Sequence, residues 1–211
     1  MEGQKPLVTV SGLGDGEFLF AANREPVLIE LEPAKFEAYL VEEGLSRIVQ
    51  ERASRGERQR RGRERYTRYT KALLHVGAPV TQGMAQAVLG QKLEMFVDSP
   101  ERPLRVGDSV AVRVTFEGKP LAAVKLQASL RRAGAPDDPP PNAGADAASS
   151  SEEVGATTDA QGRVTLRVGS AGFLVLHLVH MRRCVESSGV PCREADWESF
   201  WGSFTTAIAV R

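Results

Sequence analysis

The chain has 211 residues, enough for one large or two small domains, with a hydrophobic fraction of 42% and 27 basic residues balancing 27 acidic ones. That balance excludes a whole-molecule field that would draw in nucleic acid or a membrane surface, but charge is locally uneven: residues 52–65 hold seven arginines and two glutamates, and 137–153 is acidic. No run approaches the ~20 consecutive apolar residues of a membrane helix, and residues 1–25 lack a charged start followed by an apolar stretch and a small-residue cleavage site.

The first segments alternate in strand fashion: Leu7-Val8-Thr9-Val10, then Phe18-Leu19-Phe20 and Val27-Leu28-Ile29, with Gly12, Gly14 and Gly16 as turn residues. Pro33 then opens a helix where its missing N–H costs nothing. Phe36, Tyr39 and Leu40 form its apolar stripe, and Gly44 stands where a left-handed C-cap would. A second short helix carries Leu45, Ile48 and Val49, so helical structure is expected over about 34–53. Gly56 and Gly62 suit a mobile linker through the arginine-rich stretch. Tyr66, Tyr69, Leu73 and Leu74 then recur at helical spacing and predict a third helix over about 63–75.

From residue 91 the period returns to two. Leu93, Met95 and Val97 predict one strand and Val110, Val112, Val114 and Phe116 another, with Glu117-Gly118-Lys119-Pro120 turning into a strand over 122–130 that completes a hairpin. Residues 131–158 are rich in Pro, Ala, Ser, Asp and Gly and read as a flexible insertion. Asp159-Ala160-Gln161-Gly162 is a tight turn feeding Val164-Thr165-Leu166. The nearly continuous apolar run over 173–181 predicts a buried central strand, and 204–210 a closing one. The expected fold is mostly β: a partial N-terminal β-region with a helical segment over 1–88, then a β-sandwich of immunoglobulin or transthyretin type over 89–211.

Cys184 and Cys192 lie in one loop with Ser187, Ser188, Gly189 and Pro191 between them, which predicts a local disulfide and an oxidising compartment; a reduced pair is the alternative. Alone they make no zinc site, because structural zinc takes four ligands. His177 and His180 are the polar residues of the apolar strand, and a spacing of three on a strand sends them to opposite faces. They read first as half-buried imidazoles, with His180, nearer the strand end and solvent, the better candidate metal or binding residue and His177 the weaker one. His75 reads as a helix-end residue. No nucleophilic elbow appears, Gly12, Gly14 and Gly16 precede a strand rather than a phosphate-holding helix, and Glu42 and Glu43 read as a solvated pair, so no enzyme is expected. Nucleic-acid binding by 52–65 with Tyr66 and Tyr69 is the minor reading of those residues. Trp197 and Trp201, in Asp196-Trp197-Glu198-Ser199-Phe200-Trp201, are expected to plug the domain end rather than to form a sugar platform.

Several segments together resemble a bacterial envelope family, the domain of unknown function 4198 family once called NikM-like. They are Glu30-Leu31 with Lys35-Phe36-Glu37-Ala38-Tyr39-Leu40-Val41-Glu42-Glu43-Gly44-Leu45, Arg65-Tyr66-Thr67-Arg68-Tyr69-Thr70-Lys71, Glu117-Gly118-Lys119-Pro120-Leu121, and Val179-His180-Met181 with Ala195-Asp196-Trp197-Glu198-Ser199-Phe200-Trp201. The resemblance implies a periplasmic or extracellular, non-enzymatic protein of two β-sandwich-like regions, the second similar to transthyretin-like or carboxypeptidase-regulatory modules. It also implies accessory binding of nickel or cobalt during uptake, with an envelope transporter or receptor component as partner. The family's usual opening, a signal peptide and a strand with a His-x-x-Trp motif, is not found here, which leads us to expect either an upstream start or a lineage that lost it. The alternative expectation is a structural or interaction module of the envelope with no metal role.

Overall fold

The computed structural model describes residues 9–77, 83–98, 103–131, 154–186 and 192–210. Its strands are β1 (Gly16–Leu31), β2 (Gly62–Val76), β3 (Leu93–Asp98), β4 (Ser109–Phe116), β5 (Lys119–Pro120), β6 (Lys125–Arg131), β7 (Val154–Thr157), β8 (Arg163–Arg167), β9 (Gly172–Arg183) and β10 (Trp197–Ile208), and the helices α1 (Pro33–Glu42) and α2 (Ser46–Ser54) lie between β1 and β2. A six-stranded sheet runs β1-β2-β10-β9-β6-β7. A smaller sheet holds β3, β4 and β5, with β8 also pairing to β4. The fold is mostly β, as the alternating sequence predicts.

The two sheets pack face to face. Period-two alternation sends Leu174, Leu176 and Leu178 of β9 and Phe200, Phe204 and Ile208 of β10 to one side of the large sheet, where they meet Met95, Val110, Val112 and Val114 of the small one. The opposite side of the large sheet carries the helices. Phe36, Leu40 and Ile48 form a second core there with Met181 and with Trp197, which is 0% exposed. Gly62 lies directly under Phe36, so close that a β-carbon would stand 2.1 Å from the ring. This glycine is therefore required for packing rather than for linker mobility. At the end of α1, Gly44 adopts φ +71°, its N–H donates to the Val41 carbonyl at 3.1 Å, and the Leu45 N–H donates to Leu40 at 2.8 Å. This left-handed cap turns the chain sharply into α2.

The helix expected over 63–75 is corrected: those residues form β2. Their apolar residues fit a helical stripe, but Thr67, Tyr69, Lys71 and Leu73 also alternate. The segment is hydrogen-bonded on both edges, antiparallel to β1 and parallel to β10. Tertiary pairing of aromatic and β-branched residues overrides the weak helical period. Through β2 and β10 the large sheet is continuous across residue 88, where the sequence divides the chain. The expected hairpin is also corrected: β4 turns back into the two-residue β5, and β6 crosses to the large sheet between β9 and β7. Residues 154–157 of the expected insertion form β7, paired to β6; 132–153 lie outside the described residues, as does half of the expected strand over 7–10, whose described residues Thr9 and Val10 are not in a strand. The two β-segments within 18–29 are one strand with a bulge between Arg24 and Val27.

The sheets are also joined by charge. Lys71 of β2 is 1% exposed and its ammonium donates to Glu94 Oε1 of β3 at 2.8 Å and to the carbonyls of Ala87 and Met95 at 3.0 and 3.2 Å. All three of its protons are thus placed. Burial pulls the lysine pKa down, and Glu94 opposes that shift. Lys71→Met or Glu94→Gln alone strands the other partner in the core and is expected to cost about 3–5 kcal/mol in urea unfolding. The double variant Lys71→Met/Glu94→Gln should lose clearly less than the sum of the two; strictly additive losses would show that the pair is not coupled.

Candidate binding cleft at the helical corner

The arginine-rich stretch proves to be a set of ion pairs. Arg52, buried within α2, donates to the carbonyls of Glu57 and Arg60 at 2.8 and 2.7 Å and lies 4.8 Å over the Phe36 ring. Arg55, Arg58 and Arg60 pair with Glu51, Glu37 and Glu57. Arg61 reaches Glu30 and Glu32, Arg63 holds Asp196 through two bonds, and Arg65 meets buried Glu198. Exposed pairs of this kind add little individually, but together they tie the α2–β2 connection to β1 and β10. Their charge is spent within the fold, and Tyr66 and Tyr69 point to opposite faces of β2 rather than forming one stacking surface.

Beside this clamp the Gly44 turn overhangs the end of β9. The 43–48 corner, the 121–125 loop and residues 179–181 enclose a cleft of about 280 Å³. Leu45, Ile48, Leu121, Val124 and Met181 supply apolar wall, and Arg47, Lys125 and His180 also line it. Ala123 holds the loop with φ 55°, in the left-handed region unusual for a residue with a side chain. Lys125 ties that loop to α1 by donating to the Glu42 carbonyl at 2.8 Å.

His180 packs between Phe116, 4.4 Å away centroid to centroid, and Phe200, 6.3 Å away. Burial, reinforced by the nearby Arg182 and Arg47 cations, lowers its pKa to about 4, so it is a neutral imidazole at physiological pH. His177 lies on the other face, as the strand period requires, with Nε2 3.8 Å from Glu43 Oε2. Glu43, which also accepts from Gln127 at 3.0 Å, has its pKa raised first by burial and then by Glu42. It is a buried member of the corner, not half of a solvated pair. The two candidate metal residues are therefore separated by the sheet. Among the described residues no three His, Cys, Asp or Glu side chains are arranged to hold a metal ion. For nickel or cobalt, His180 offers one neutral nitrogen, which does not by itself make a site for either ion.

His75 lies on β2 rather than at a helix end, with Nε2 3.6 Å from Glu17. Cys184 and Cys192 are joined by a disulfide with Cα atoms 5.8 Å apart, and the Cys184 N–H donates to the Asp196 carbonyl at 3.0 Å. The bridge closes the connection from β9 to β10 and fits an oxidising, extracytoplasmic compartment. Trp197 is buried under α1, with the Arg183 guanidinium 3.9 Å over its ring. Trp201 stacks on Tyr39 at 5.8 Å and 8°. No helix among the described residues is long and apolar enough to cross a membrane.

Two face-packed sheets, a helical corner and a cleft at their junction define a mostly β protein with a candidate binding site on its rim. The family model described as Domain of unknown function (DUF4198) matches residues 10–182, and the chain belongs to that family. The match ends within β9, before β10. No curated protein and no solved structure matches the chain.

Sequence reasoning found His180 but not its neighbours. Arg47 and Lys125 look like ordinary surface cations in sequence, and only the Gly44 cap signals that the chain turns a corner there. The suppressed His180 pKa has a measurable sign. Unfolded chains take up a proton near 6.5, whereas the native imidazole resists until about 4, so His180 contributes stability that is lost as pH falls through that window. An NMR titration should place its midpoint near 4, and the difference in unfolding free energy between wild type and His180→Leu should change between pH 6.5 and 4. A midpoint near 6.5 would refute the buried placement.

Proposed function

We propose that this chain is a non-enzymatic module of the bacterial cell envelope, periplasmic or extracellular, that binds a partner protein through the cleft at the helical corner. The observation that carries the reading is the cleft itself: apolar walls, the cations Arg47 and Lys125 and a neutral His180, held by two structural layers rather than by a single loop. Apolar surface with a few convergent polar groups is the usual composition of a recognition site. The disulfide supports an extracytoplasmic setting.

Ala122 is exposed at the rim, so Ala122→Trp fills the cleft without entering the core. Immobilised wild-type chain is expected to retain an envelope component from extract in the presence of a chelator, and the Ala122→Trp chain, checked for native circular dichroism, is expected to lose it. Retention by both chains, or by neither, would overturn the reading.

An accessory role in nickel or cobalt uptake is the second reading. His180 favours it by presenting a neutral, ligating imidazole to the cleft, the remaining donors then coming from an envelope transporter or receptor component. Calorimetry with nickel or cobalt should give micromolar or tighter affinity that weakens in His180→Ala; absence of heat with the secreted full-length chain would remove this reading.

A further inference from the structure

Beneath α1 lies a group of polar atoms that neither the ion pairs nor the cleft employs. Glu64, on the helix-bearing face of β2, is 2% exposed, and Ser199 of β10 is 0% exposed. Glu64 Oε2, Ser199 Oγ, Tyr39 Oη and the indole nitrogens of Trp197 and Trp201 are all buried without a well-formed hydrogen bond, although the Ser199 and Tyr39 hydroxyls lie close enough to Glu64 to favour its carboxylate. Buried polar atoms are rarely left so, and five in one region of one interface mark a place whose chemistry is not exhausted by packing.

The arrangement is specific. Trp197 is the β10 residue in register with Glu64, and Ser199 is in register with Tyr66. Tyr39 reaches the same spot from α1, stacked on Trp201. The group therefore contains one carboxylate beside the Ser199 and Tyr39 hydroxyls, with the Trp197 and Trp201 rings packed around them. The charged groups of the packed elements are already engaged. Arg52 of α2 donates to backbone carbonyls, and Arg183 of β9 pairs with Glu51 and Glu57. Arg68 of β2 lies over the Tyr66 and Trp201 rings, and Arg24 of β1 over Tyr66. Glu30 of β1 pairs with Arg61. Glu198 and Arg65 pair with each other on the other face of the sheet. Burial raises the Tyr39 pKa, and Glu64 and then Glu43, at the C-terminal cap of α1, add to the rise.

We propose that Glu64, with Tyr39, Ser199, Trp197 and Trp201, forms a proton-responsive latch beneath α1, holding the helix on the sheet when the carboxyl is protonated and loosening it when the carboxylate forms. Among the described residues no cation pairs with Glu64 and only the Ser199 and Tyr39 hydroxyls favour its ionised form, so meeting the full charge requires opening the interface to water. Burial raises the Glu64 pKa to about 7, against the opposing pull of the Ser199 and Tyr39 hydroxyls, which places the change near neutrality. The sign follows from linkage: the native state keeps a proton that the unfolded chain gives up near 4.5, so the stabilising contribution is complete below about 4.5 and is lost as pH rises through about 7. Because α1 runs directly into the Gly44 corner, its seating also sets the position of one cleft wall. The latch concerns the seat of α1 and holds whatever the cleft binds.

The chain carries its own reporters, since Trp197 and Trp201 are its two tryptophans. Tryptophan emission and near-ultraviolet circular dichroism of the full chain, taken from pH 5.5 to 8.5, are expected to show one reversible transition with a midpoint near 7, absent in Glu64→Gln. Hydrogen exchange of the α1 amides, corrected for intrinsic rates, should quicken several-fold across the same range in wild type only. Ser199→Ala removes a group that favours the carboxylate, and should move the midpoint to higher pH; it serves as the test if Glu64→Gln does not fold. No transition in wild type, an equal transition in Glu64→Gln, or an unmoved midpoint in Ser199→Ala would each overturn the latch.

Discussion

The parallel pairing of β10 with β2 is the constraint on which the rest of the structure depends. It runs from Trp197 opposite Glu64 to Thr206 opposite Leu73 and joins segments more than 130 residues apart in the chain. Forming it requires a long loop closure, which is entropically costly before any contact repays it. What repays it lies on both faces. On one, Phe200, Phe204 and Ile208 enter the core between the sheets. On the other, Trp197 supplies the floor for α1 and α2. Because successive side chains alternate, a slip of one residue would exchange these two sets, and neither core would form. The charge pairs of Arg63 with Asp196 and Arg65 with Glu198 lie along the same seam and disfavour such a slip.

The two faces of the large sheet have different jobs. The face toward the small sheet is apolar and fixed by the Lys71–Glu94 pair at its edge. A buried pair of this sort adds less to stability than its short distance suggests, since desolvation offsets most of the attraction, but it makes a wrong arrangement expensive. The helix-bearing face is more polar and less completely satisfied. It holds Glu64 Oε2, Ser199 Oγ and Tyr39 Oη buried without well-formed hydrogen bonds and Glu43 at the margin of the cleft. The ion pairs of residues 52–65 fasten the segment that follows the helices to β1 and β10.

His180 and Glu64 show how burial acts oppositely on a base and an acid. The same loss of solvent lowers the imidazole pKa and raises the carboxyl pKa, and in each case it favours the neutral form. His180 at the cleft is therefore an uncharged imidazole near Arg182 and Arg47, and Glu64 beneath α1 an acid whose proton is held by burial. Neither state follows from the residue type alone.

Much of this was legible in the sequence because it depends on local periodicity and turn chemistry. The alternation of β3, β4, β9 and β10, the Pro33 start and Gly44 end of α1, the Asp159–Gly162 turn, the opposite facing of His177 and His180 and the Cys184–Cys192 bridge all rest on near neighbours. What only the tertiary structure decided rests on partners far away in the chain. Residues 63–75 satisfy a helical period and a strand period about equally, and the choice fell to the strand because β1 and β10 supply hydrogen bonds on both edges. Gly62 reads as a linker residue until Phe36 is placed on top of it. The seven arginines read as charges of a solvated linker until Arg52 is placed on backbone carbonyls and the other six on carboxylates from β1, the helices, the α2–β2 connection and β10. The cleft, made by two turns and a strand end, has no continuous signature at all, because period and propensity describe how a segment folds and not which distant segment it will meet.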